Sequence, residues 1–199
     1  MARIMFALRE ILAAAVFLIP IFIGLNRYLF QDLRKTSLYF VFSCYLAAVY
    51  VLVGMPNITY VRFELNLNLV PMIGILQDAK NSLLNVFLFV PLGFFLPLLW
   101  NGYRMPGKTI LFGFAMSAAI ELLQIFTLRA TDVNDVITNT FGTCLGFALA
   151  EVLRRCIPAV RNIHSGEKPG ELCCIVAVVL AVMFFAQPFS SAVLWNWIY

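Results

Sequence analysis

Long apolar runs broken by short polar stretches dominate the chain. Six of them approach or exceed the roughly 20 residues that a helix needs to cross the hydrocarbon of a bilayer. They fall at about 11–30, 37–55, 81–100, 108–127, 132–156 and 172–198. A longer, more polar segment, 56–80, separates the second run from the third. Pro188 lies inside the sixth run and predicts a kink. The pattern predicts an all-α fold, a polytopic transmembrane helix bundle of about six spans.

Polar residues inside these runs recur at helical spacing. In the fourth span Gly113, Ser117, Glu121 and Gln124 share one face. In the fifth, Asp132, Asp135, Asn139, Gly142 and Gly146 do the same, polar in the first half and small in the second. Gly142 and Gly146, continued by Ala150, form a small-residue stripe that lets another helix approach closely; packing within the bundle is the reading preferred over a homodimer face. The third span carries Asn81 and Asn85 near its start, then Pro91 and Gly93, which predict a packing kink.

Composition agrees with the pattern. Charged residues make up 12 % and apolar types 62 %, whereas a soluble domain carries about a quarter charged residues. The net charge of +4 is spread over loops. That suits anionic lipid head groups, and no basic stripe points to nucleic acid. The five cysteines, Cys44, Cys144, Cys156, Cys173 and Cys174, have no metal-binding spacing and read as small buried residues. No cofactor or metal is expected. The first span follows Arg3 and Arg9 as a signal peptide would, but no small-residue cleavage site leading into a soluble domain follows, so a retained helix is expected. His164 reads as a solvated loop residue.

Lys and Arg in short loops set the orientation. Arg27, Arg34, Lys35, Arg104, Lys108, Arg154, Arg155, Arg161 and Lys168 share one side, and Arg3, Arg9, Arg62, Lys80 and Arg129 the other, nine against five. The richer side is expected to be cytoplasmic. Both termini and residues 56–80 then lie outside, with Trp195, Trp197 and Tyr199 as an interfacial anchor. Arg3 and Arg9 argue the other way.

This topology puts Asn85, Glu121, Gln124, Asp132, Asp135 and Asn139 at one depth, beneath the outer boundary. Glu121 is six residues before Thr127, about 9 Å along the helix. Charges inside spans cost roughly 2.5–3.5 kcal/mol each on insertion scales, so a cluster of them needs a reason. Arg129, in the turn between the fourth and fifth spans, and Arg62, near Glu64 in the outer segment, are the nearby cations. Interhelical glue is the plainer reading of the amides. The carboxylates exceed what glue requires.

Four ordered segments resemble the VanZ-like family of bacterial membrane proteins. They are Asn68-Leu69-Val70-Pro71-Met72, with Met72 where the family has an aromatic; Asn85 through Gly93 with Pro91; Glu121-Leu122-Leu123-Gln124; and Arg129-Ala130-Thr131-Asp132 through Asp135, Asn139 and Gly142. The resemblance covers about 37–150. Residues 1–36 look like an added N-terminal helix and basic loop ahead of a family domain over 37–199. The resemblance implies the cytoplasmic membrane of a bacterium and a context of resistance to teicoplanin, a lipoglycopeptide acting on cell-wall precursors. It implies no particular reaction.

The leading expectation is an outer-leaflet pocket of Arg62, Asn68, Asn85, Glu121, Gln124, Arg129, Asp132, Asp135 and Asn139. It would bind a lipid-linked precursor, a lipid head group or a lipoglycopeptide. The arginines would meet anionic groups and the acids hydroxyl or amine donors. The alternative is an intramembrane enzyme on a lipid or polyprenyl substrate, with Glu121 as acid or base and Asp135 beside it; Asp132 and Asp135 alone are a weak cation site. A transporter ranks third, because no polar relay continues toward the cytoplasmic side.

Overall fold

The computed structural model describes residues 2–63, 66–68, 79–127, 129–157 and 169–198. Glu64, Leu69 to Met72, His164, Arg161, Lys168 and the side chains of Arg3 and Trp197 lie outside what is described. Among the described residues the helices are α1 (Ala2–Leu25), α2 (Leu33–Leu52), α3 (Ala79–Leu99), α4 (Pro106–Gln124), α5 (Val133–Cys156), α6 (Pro169–Ala181) and α7 (Gln187–Ile198). A π turn, Asn26–Phe30, extends α1, and another, Val182–Ala186, joins α6 to α7. Two two-residue strands, β1 (Leu67–Asn68) and β2 (Thr131–Asp132), pair in parallel.

Six segments are long and apolar enough to cross a bilayer: Met5–Phe30, Leu33–Leu52, Ala79–Leu99, Pro106–Gln124, Val133–Cys156 and Gly170–Asn196. The chain is therefore an integral, all-α membrane protein, as the hydropathy pattern predicts. The sidedness of the side chains agrees. On α5, Asn134, Thr138, Asn139, Gly142, Thr143, Gly146 and Ala150 are buried, whereas Ile137, Phe141, Leu145, Leu149 and Val152 are exposed. Polar and small inside, large and apolar outside is the inverse of a soluble helix, and it fits a lipid solvent.

The chain forms two compact units, Met1–Val61 with Gly170–Tyr199, and Arg62–Pro169. This division groups α2 with α1, where the sequence reading set 1–36 apart from 37–199.

In the first unit, Gln31 takes a left-handed conformation (φ 52°) after the π turn, and Asp32 caps α2. Its Oδ1 accepts the N–H groups of Arg34 (2.9 Å) and Lys35 (3.2 Å), two donors that no helical carbonyl reaches. Lys35 Nζ then lies 2.7 Å from Glu171 Oε1 of α6, and Tyr39 donates to Glu171 Oε2 at 2.8 Å. In the last span the expected distortion at Pro188 takes the form of the π turn just before it. A proline ring displaces the carbonyl four residues back, here that of Phe184, which instead accepts the Ile58 N–H at 3.1 Å.

In the second unit α5 is seated against both α3 and α4 at glycine notches. A Cβ on Gly142 would stand 2.3 Å from the Val86 carbonyl oxygen, and one on Gly146 2.0 Å from that of Val90. The contacts advance in step, so α3 and α5 run parallel. A Cβ on Gly93 would meet the Thr143 carbonyl oxygen at 2.0 Å, and one on Gly113 of α4 the Thr143 hydroxyl at 2.4 Å. The stripe at Gly142, Gly146 and Ala150 is thus buried inside this unit. The five cysteines are free thiols.

Candidate functional site

The site forms where α4 ends and α5 begins. Two short strands set its geometry. Leu67 stands opposite Thr131 and Asn68 opposite Asp132, and the Thr131 N–H donates to the Asn66 carbonyl at 2.9 Å. This clasp ties the segment before α3 to the start of α5.

Asp132 is the hub. Its Oδ1 accepts the backbone N–H and the side-chain amide of Asn134, both at 2.8 Å, capping α5. Its Oδ2 accepts the Asn68 amide at 2.9 Å. Its own N–H donates to Glu121 Oε2 at 2.8 Å. Beside it, the Thr131 hydroxyl donates to the Glu121 carbonyl at 3.0 Å.

Glu121 is only 4 % exposed. A backbone donor fixes one of its oxygens, while Oε1 takes no hydrogen bond from the described residues. One turn back along α4, about 6 Å, the Asn139 amide donates to Ser117 Oγ at 2.9 Å. Asn139 Oδ1 is buried and has no partner among the described residues. The seam between α4 and α5 therefore offers two acceptor oxygens, one anionic and one neutral.

Among the expected residues, Asn68, Glu121 and Asp132 are joined by hydrogen bonds, and Asn139 follows one turn away. Asp135 is half-buried in the first turn of α5. Gln124 is buried at the end of α4, where its carbonyl accepts the Thr127 N–H at 2.9 Å and hydroxyl at 3.0 Å. Arg129 and Arg62 are exposed. Arg62 is held by its backbone, its N–H donating to the Phe126 carbonyl at 2.9 Å. Asn85 is not drawn in: it is half-buried on α3, next to Val86, with no hydrogen bond to the other site residues. Among the described residues no group of three His, Cys, Asp or Glu side chains could hold a metal ion. Both oxygens of Asp132 are already engaged within the chain.

Thr131 and Asn134 carry contacts that span-by-span reading passes over. Their signal is the Thr-Asp-x-Asn sequence immediately before a helix, an N-cap signature. Asp132→Ala should remove the cap and the Asn68 bond together, lowering stability by about 1–2 kcal/mol. Asp132→Asn keeps the capping oxygen and should retain most of it. Thermal unfolding of both variants in one detergent checks the difference.

The VanZ/LLP1 family pattern matches residues 40–154, which include every candidate residue. Protein VanZ of Enterococcus faecium is 35 % identical over 120 residues, 59 % of this chain and 68 % of that protein. No solved structure matches.

Proposed function

The chain belongs to the VanZ/LLP1 family, and from that premise we propose that it is an envelope protein whose α4–α5 seam recognises the polar part of an extracellular-leaflet molecule. The context is the family's association with teicoplanin resistance. The ligand classes are a lipid-linked cell-wall precursor, a lipid head group or the lipoglycopeptide itself. In this reading the protein sits in the bacterial cytoplasmic membrane with both termini and the β1 segment outside.

One observation carries the reading. Glu121 is locked by the Asp132 amide through one oxygen and keeps the other for a donor, with the unsatisfied Asn139 carbonyl oxygen one turn away. A buried acceptor left unsatisfied costs about 1–3 kcal/mol. The seam therefore favours a ligand rich in hydroxyl or N–H groups, as sugars and peptides are. Arg129 and Arg62, exposed at the rim, suit anionic groups on the same ligand.

Drug susceptibility tests this. In a teicoplanin-susceptible strain, expression of the chain should raise the inhibitory concentration. Glu121→Gln should cut that protection at least fourfold at equal membrane level. Undiminished protection by the variant sinks the proposal. Turnover of labelled polyprenyl phosphates or phospholipids by the purified chain, lost in Glu121→Gln, would instead make Glu121 an acid–base group.

A further inference from the structure

Donors and acceptors are unevenly shared out along the α4–α5 seam. The Asp132 N–H goes to Glu121 Oε2 and the Thr131 hydroxyl to the Glu121 carbonyl. The Asn134 amide goes to Asp132 Oδ1 and the Asn139 amide to Ser117 Oγ. The Thr138 and Thr143 hydroxyls donate within α5, to the carbonyls of Asn134 and Asn139, both at 3.0 Å. These donors are committed. The openings are acceptors: Glu121 Oε1 and, one turn away, Asn139 Oδ1.

Charge points the same way. Glu121 is 4 % exposed and lies in a membrane-spanning segment. Among the described residues it forms no ion pair; the ion pairs there are Lys35–Glu171 and those of Glu151 with Arg154 and Arg155. Asp135, in the first turn of α5, adds a second acid where the seam begins. A carboxylate withdrawn from water calls for a cation.

The geometry narrows the kind of cation. A hydroxyl group satisfies an oxygen and leaves the charge. A quaternary ammonium brings charge and no N–H. A guanidinium pairs best through both carboxylate oxygens, and Oε2 is held by the backbone. A primary ammonium is compact, carries one charge and offers three donors. It serves Glu121 through Oε1 alone. A phosphate or carboxylate on the ligand would meet acceptors and like charge in the seam, so its place is at the exposed Arg62 and Arg129 of the rim.

We propose, resting on the ligand-binding role of this seam, that the ligand enters it by a primary ammonium set on Glu121 Oε1, and that this ammonium ends a lysine side chain in the peptide of a lipid-linked cell-wall precursor. Reach selects that source. Glu121 lies about 9 Å along α4 from Thr127. The four-carbon stem of lysine carries an ammonium inward and leaves the anionic groups of the precursor at the rim. The two-carbon linker of an ethanolamine phospholipid would pull its phosphate in toward Glu121 and Asp135.

Native mass spectrometry of the full chain in detergent is the test. The probes are a polyprenyl-diphosphate disaccharide carrying a lysine-containing pentapeptide and the same molecule acetylated on the lysine Nε, which keeps an N–H and loses the charge. The free-ammonium form should be retained at about tenfold lower concentration. Glu121→Gln, which keeps an oxygen for the Asp132 N–H, should bring the two forms within about twofold. Phosphatidylethanolamine in about tenfold excess should displace neither. Equal retention of both forms, each weakened in Glu121→Gln, overturns the ammonium and leaves the seam as a site for neutral donors. Retention of neither form overturns the seam reading as well. A preference that persists in Glu121→Gln overturns Glu121 as its seat, and displacement by phosphatidylethanolamine overturns the peptide as the source.

Discussion

Gly146→Ala should separate α5 from α3 at a cost of about 3 kcal/mol, the upper range for overpacking a filled interior. The added methyl would sit 2.0 Å from the Val90 carbonyl oxygen and 2.8 Å from the Phe94 backbone nitrogen. Neither obstacle is a flexible side chain, so relief requires a helix to move. Movement at this point would strain the contacts of Gly142 with Val86 and of Thr143 with Gly93, because all three lie on one seam. Gly24→Ala is the matched control. Nothing lies within 4 Å of its Cβ position, and alanine in a helix interior gains about 0.5–1 kcal/mol over glycine. Unfolding temperatures in one detergent should therefore fall for Gly146→Ala and hold or rise for Gly24→Ala. Equal temperatures for the two variants would mean that the α3–α5 seam is looser than the distances require.

Lys35→Met should be comparably damaging for an electrostatic reason. Lys35 and Glu171 are both largely buried, with side chains 17 % and 8 % exposed. The lysine ammonium also lies 5.5 Å from the Tyr39 ring centroid and 5.9 Å from that of Phe30. Removing one partner of a buried pair leaves an uncompensated charge and costs about 3–5 kcal/mol. The partial exposure of Lys35 places the expectation near 3. Replacing both partners, as in Lys35→Met with Glu171→Gln, removes the stranded charge and leaves an amide that Tyr39 can still reach. The double variant should recover at least half of the loss. A double variant no better than the single one would show that packing of the lysine stem, rather than the charge, holds α2 to α6.

The six spans were readable because hydropathy and helical period are properties of near neighbours along the chain. The faces carrying Glu121 and Asn139 were readable for the same reason: each was marked by residues three or four places away. Even the small-residue stripe announced close packing. Its partner was not announced, since any neighbouring helix could have supplied the opposing backbone, and the structure assigns it to Val86 and Val90 of α3. The grouping of Asn85, Glu121, Gln124, Asp132, Asp135 and Asn139 was inferred from shared depth, which is coarser than contact. Asn85 shares that depth yet makes no hydrogen bond there, while Thr131 and Asn134, outside the expected set, hold the hub.

Glu10 marks the boundary most clearly. An acid beside an arginine at the head of an apolar run looks locally like a wetted flank. Its partners, Gln187, Ser191 and Trp195, lie 177 to 185 residues further on, and no local pattern links positions so far apart. The run lengths, the polar faces and the cap at Asp132 follow from short-range chemistry, so the amino-acid order alone specified them. Which faces meet, which carboxylate oxygen stays open and where a charge is buried depend on contacts between distant helices, and these exist once the chain has folded.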